Sequence, residues 1–114
     1  MTSLAATIRD RARERGAHPF VEDARSARHV TYAELADRAG CWAALLDARR
    51  VPPGGAVLLD VDDPLAFTVA YLGVLAAGRC CVPVDPDAPA ADLARTARST
   101  RPLLCVTDRG TRTE

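Results

Sequence analysis

Four cysteines, two histidines and a scatter of aspartates are the side chains of this sequence best suited to chemistry, and their spacing limits what they can do. Cys41, Cys80, Cys81 and Cys105 form no Cys-x-x-Cys pair, and His18 and His29 lie far from them, so zinc-ligand spacing is not met. Cys80 and Cys81 are adjacent; on a strand they point to opposite faces and form no joint site. All four read as buried, reduced thiols acting as small apolar residues. Asp85 and Asp87 flank Pro86, with Pro89 close behind, which is turn chemistry rather than a magnesium site. Lysine is absent and all fifteen basic residues are arginine, so there is no Schiff-base, phosphate-clamping or acyl-transfer lysine. Binding a triphosphate needs backbone N–H donors in a glycine-rich turn, together with cations. The nearest candidates, Pro53-Gly54-Gly55 and Arg109-Gly110-Thr111, are not such loops. There is no Gly-x-Gly-x-x-Gly and no Ser-His-Asp set in workable order. The sequence therefore assigns no catalytic, cofactor-binding or metal-binding residue.

The elements that would carry these residues fit one domain of 114 residues. Hydrophobic content is 48% and aromatic content 4%, so the core is built from small aliphatics. Arginines balance acids, and neither half is basic enough to imply nucleic acid. Leu4 to Ile8 is too short for a signal peptide, and Leu65 to Ala77 is too short to span a bilayer. The expectation is a cytoplasmic protein without a membrane partner.

Leu4, Ile8 and Ala12 share one face of a first helix, capped by Ser3 and ended at Gly16. The arginines at 9, 11, 13 and 15 lie largely off that face, interrupted by Asp10 and Glu14, as on a solvated helix side. Pro19 to Glu22 and Arg28 to Thr31 read as a short hairpin. Thr31 and Glu34 form a capping box for a helix whose stripe runs Tyr32, Leu35, Ala36, Ala39, Trp42, Ala43 and Leu46. On that stripe Trp42 is a core residue rather than a stacking platform. Ala56 to Val61 is a strand apolar enough to be covered on both faces. Asp63 caps, and Pro64 opens, a helix apolar nearly all round, and Gly78 stops it. A strand from Cys80 to Val84, a weak helix from Ala90 to Thr100 with Leu93 and Ala97 inward, and a strand from Leu103 to Thr107 follow. Strands alternating with helices through right-handed crossovers predict an α/β fold: a three-layer, doubly wound parallel sheet preceded by a helix and a short hairpin. The domain spans residues 1–108, with a polar tail over 109–114; Asp108 reads as the start of that frayed end.

Three stretches together resemble the N-terminal part of the adenylate-forming superfamily, which includes acyl-CoA synthetases and the adenylation domains of non-ribosomal peptide synthetases. Val30-Thr31-Tyr32-Ala33-Glu34-Leu35 looks like the family's Thr-Tyr-x-Glu-Leu helix start. Val51-Pro52-Pro53-Gly54-Gly55-Ala56-Val57 looks like its Pro-Gly-Asp strand start. Leu72-Gly73-Val74-Leu75-Ala76-Ala77-Gly78 leading to Val82-Pro83-Val84-Asp85-Pro86 looks like its Leu-Gly-Val-Leu-Lys-Ala-Gly…Val-Pro-Leu-Asp-Pro block. Gly55, Ala76 and Arg79-Cys80-Cys81 depart from the pattern.

The resemblance implies activation of a carboxylic acid by ATP to an acyl-adenylate, followed by transfer to a thiol. It implies ATP and magnesium for the complete enzyme only, because the family's phosphate loop and catalytic lysine come after the matched region. The expectation is a truncated N-terminal part, not catalytic alone, completed by a protein partner or self-associating through exposed apolar surface, with a carrier protein as one possible partner. The alternative is a non-catalytic binding or regulatory module of a peptide or acyl synthetase system.

Overall fold

The computed structural model describes residues 3–108. Helix α1 (Leu4–Arg15) begins where the Ser3 hydroxyl accepts the Ala6 N–H at 3.1 Å. It ends at Gly16, as predicted, with φ at −50° rather than in the left-handed region, and the Gly16 carbonyl accepts the Ala33 N–H at 3.0 Å. That bond ties the end of α1 to the next helix. Strands β1 (Pro19–Glu22) and β2 (His29–Thr31) pair antiparallel, with Val21 beside Val30. Helix α2 (Tyr32–Ala48) opens on the predicted capping box: Glu34 N–H donates to Thr31 Oγ1 at 3.1 Å, and Thr31 N–H to Glu34 Oε1 at 3.0 Å.

Strand β3 (Ala56–Asp60), helix α3 (Pro64–Ala76), strand β4 (Cys80–Pro83), helix α4 (Ala90–Thr100) and strand β5 (Leu104–Thr107) complete the chain. The strands form one parallel sheet in the order β4-β3-β5. The path steps from β3 to one neighbour and then returns across β3 to the other. With right-handed crossovers, that reversal sends α3 and α4 to opposite faces, which makes the fold doubly wound.

Most of the core lies on the α3 side, with Leu58 of β3 buried on the α4 side. Leu46, Val51, Val57, Leu59, Ala70 and Val74 pack between α2, α3 and the sheet. Ile8, Val30, Leu35, Leu65 and Val69 form a second cluster among α1, the hairpin, α2 and α3. Trp42 packs against both, as the helical stripe predicted. A Cβ at Gly73 would lie 2.7 Å from Trp42 Cδ1, so only glycine lets α3 approach the indole this closely.

The cysteines correct one expectation. Cys41, Cys80 and Cys105 are exposed, and only Cys81 is half-buried. Both β4 and β5 are edge strands, and their register places Cys81 beside Val57 in the core while Cys105 stands beside Leu58 on the α4 face. Burial pushes the Cys81 thiol up to about 11, aided by its neighbour Cys80, so it stays protonated at neutral pH. Arg79, one of the departures from the family pattern, is a structural staple. Its guanidinium donates to Val51 O at 2.7 Å and Ala77 O at 2.7 Å, and pairs with Asp47 at 2.6 Å. It thereby satisfies carbonyls left over where α2 and α3 end.

Candidate functional site

In doubly wound sheets, ligands bind outside the carboxyl ends of the strands, where the strand order reverses. Here that point lies between β3 and β5. An open crevice there is lined by Asp23, Ala24, Arg25, Asp62, Asp63, Pro64 and Asp108. Three segments build it. The β3–α3 link supplies Asp62 and Asp63, the end of β5 supplies Asp108, and the hairpin turn supplies Asp23 and Arg25.

Asp63 caps α3, accepting the Ala66 N–H at 3.1 Å, and Pro64 takes the first helical position. The start of a helix presents N–H donors that favour an anion. In this protein a carboxylate of the chain takes the donors just before it. Asp108 Oδ1 accepts the Asp62 N–H at 3.0 Å, and Asp108 Oδ2 accepts the Asp63 N–H at 3.0 Å. Asp108 is therefore a latch between the end of β5 and the start of α3, not the first residue of a frayed tail. Its local sequence carries no sign of this, because its partners lie 45 and 46 residues away.

The outer wall is an ion-pair network. Arg28 Nη2 donates to Asp63 Oδ1 and lies 3.5 Å from Asp23 Oδ2. The Arg28 bond, followed by the Ala66 N–H, holds the Asp63 carboxyl below the usual carboxylate range. Asp23 is lowered by the Arg25 N–H and then the Ser26 hydroxyl, which close the hairpin turn around it at 2.9 and 3.0 Å. Arg28 is raised in turn, chiefly by its bond to Asp63. The network docks the hairpin on the sheet; among the described residues no cluster of three or more metal-ligating side chains accompanies it.

The other sequence candidates stay apart from the crevice. Gly54 N–H donates to Gly78 O at 2.8 Å and Gly55 N–H to Pro52 O at 2.9 Å, so this glycine pair spends its donors on the chain, at the opposite end of the sheet. Asp85 Oδ1 accepts the Asp87 N–H at 2.9 Å, as the turn reading requires. Arg109-Gly110-Thr111 lies outside the described residues. Among the described residues no helix is long and apolar enough to cross a membrane.

Comparison with known proteins identifies this architecture as the N-terminal part of an adenylate-forming synthetase or ligase. Residues 8–114 match the family described as AMP-binding enzyme, and the chain belongs to that family. It is 38% identical over 100 residues to the isonitrile lipopeptide synthase of Streptomyces coeruleorubidus, covering 88% of this chain and 7% of the relative. It is 36% identical over 92 residues to the 4-coumarate–CoA ligase-like 3 protein of Oryza sativa subsp. japonica, covering 80% of this chain and 16% of that one. Among solved structures, the benzoate CoA ligase of Burkholderia xenovorans LB400 superposes with a TM-score of 0.81 at 26% identity, over 94% of this chain and 22% of the other. The Klebsiella oxytoca NpsA N-terminal subdomain, in complex with 3-hydroxybenzoyl-AMSN, shares the fold with a TM-score of 0.83 at 16% identity, over 100% of this chain and 29% of that one. The chain thus spans a small fraction of the proteins it resembles.

Proposed function

We propose that this polypeptide is the first structural layer of an enzyme that activates a carboxylic acid with ATP. In that reaction a carboxylate oxygen attacks the α-phosphorus, pyrophosphate leaves, and the acyl-adenylate passes its acyl group to a thiol. Residues 3–108 act as scaffold and are not catalytic alone; ATP and magnesium are bound by polypeptide beyond them, either continuous with this chain or supplied by a partner. The observation that carries this reading is the latch. The N–H donors at the crevice, the best place in this layer for a phosphate, already hold the Asp108 carboxylate, which a bound phosphate would have to displace.

The edges support completion by further polypeptide. β4 and β5 each pair on one side only among the described residues, and Cys80 and Cys105 on these strands are exposed. A carrier protein bearing the acceptor thiol is one partner consistent with this reading.

ATP–pyrophosphate exchange on the purified chain, with a pool of amino, aryl and fatty acids, tests the proposal. The expected result is no exchange from the chain alone and exchange above background after adding host lysate. Exchange by the chain alone would overturn the scaffold reading. Silence in both, with a stable stoichiometric protein complex, would favour the non-catalytic binding module.

A further inference from the structure

The two ends of the parallel sheet carry opposite charge. Asp62, Asp63, Asp85, Asp87 and Asp108 follow the carboxyl ends of the strands. At the amino ends, the α2–β3 link presents Arg49 and Arg50, and the α4–β5 link presents Arg101; all three are exposed. Asp47, the acid nearest these links in sequence, is paired with Arg79, and none of the three arginines has an ion-pair partner among the described residues.

The two links meet. Leu103 N–H donates to Ala56 O at 2.8 Å, and a Cβ at Gly55 would lie 3.2 Å from Leu103 Cδ1. Leu103 is 60% exposed, well above Leu4, Leu45 and Leu75, the other exposed large hydrophobics. Pro52 and Pro53 are exposed on the adjoining link. An apolar centre with arginines around it is the anatomy of a protein interface.

The backbone adds an independent observation. Arg50 (φ 59°) and Arg101 (φ 50°) both adopt the left-handed conformation just past a helix. After α3 the same role falls to Gly78 (φ 77°), the residue that fits it without strain. Arginine therefore stands at two positions where stability favours glycine, and both lie at the same end of the sheet.

We propose that this end of the sheet is a docking surface for an acidic polypeptide segment that places an aliphatic side chain over Leu103. Carboxylates of the segment pair with Arg49, Arg50 and Arg101, and the exposed leucine supplies the apolar anchor. Nucleic acid fits less well, since no aromatic side chain stands on either link to stack a base.

Fluorescence anisotropy with the full chain and a fluorescein-labelled peptide of repeating Leu-Glu-Glu tests this. Binding is expected at low salt and is expected to weaken as salt rises. The double variant R50G/R101G is expected to bind about tenfold more weakly, the scale of losing two interfacial ion pairs, while its thermal midpoint rises because strain is relieved. Leu103→Ser is expected to weaken binding without lowering the midpoint. Undiminished binding by the double variant, a fall in its midpoint, or equal binding of a Leu-Gln-Gln peptide would overturn the proposal. Preference for phosphatidylserine vesicles over the peptide would reassign the patch to membranes. Self-association of the unmodified chain that R50G/R101G relieves would reassign it to the acidic end of a second copy.

Discussion

Helices α3 and α4 occupy equivalent places in the chain, each linking two parallel strands, yet they meet the sheet on very different terms. α3 is apolar nearly all round and buries Leu65, Val69, Ala70, Gly73 and Val74 against α2 and the sheet. α4 has one apolar edge, with Leu93 and Ala97 half-buried, and buries no residue fully. Beneath α4 the central strand is covered at Leu58, but among the described residues Cys80 and Cys105 on the flanking strands stay exposed on that side. A scaffold layer that receives further polypeptide would present such asymmetry, with a stable core on one side and a receptive surface on the other.

The largest expected effect separates the two faces directly. Leu59→Ala, at a position with no exposure, should cost about 3 kcal/mol in urea unfolding, while Leu93→Ala should cost under about 1 kcal/mol. Equal losses would break the contrast and mean that α4 is as tightly packed as α3. Next, Gly73→Ala should cost about 2 kcal/mol, because its methyl would meet Trp42 where the two core clusters join. An unchanged midpoint would show that the indole has room to retreat.

Smaller effects probe the crevice end. Asp108→Ala should cost about 1 kcal/mol, since the N–H groups of Asp62 and Asp63 lose their carboxylate and turn to water. Amide exchange at Asp62 and Asp63 should quicken while exchange across β3 stays slow. The pH dependence follows from carboxyls whose folded values are lowered. Asp23, Glu34 and Asp63 each bind protons less readily folded than unfolded. Their contribution is therefore fully present above the unfolded carboxylate value of about 4 and is lost as pH falls through the lower folded values. Arg28→Ala should flatten part of that acid limb, because the Arg28 bond is the leading cause of the Asp63 shift. An acid limb unchanged by the substitution would show that the pair does not persist in solution.

Local order was legible along the chain. Ser3, Thr31 with Glu34, and Asp63 with Pro64 marked helix starts that the structure reproduces, and Gly78 marked a stop. Strand limits shifted by one residue at Arg28, Val61, Val84 and Leu103, positions at the ends of short ladders where local patterning is weakest. Cys80 and Cys105 were misjudged because an apolar strand sequence reads as buried, but whether a strand is central or at an edge depends on its neighbours; Cys41 lies on α2 beside, not on, its apolar stripe.

The sequence by itself determined the succession of helices and strands, the parallel α/β class, the family and the want of a lysine or a glycine-rich phosphate loop. Each of these rests on residue identity and on periodicity over a few turns. Only the tertiary structure decided that β3 is central, that Asp108 closes on the start of α3, that Arg28 reaches Asp63, and that two left-handed arginines share one end with Leu103. These depend on which segments the sheet brings together across tens of residues, and no local pattern encodes that meeting.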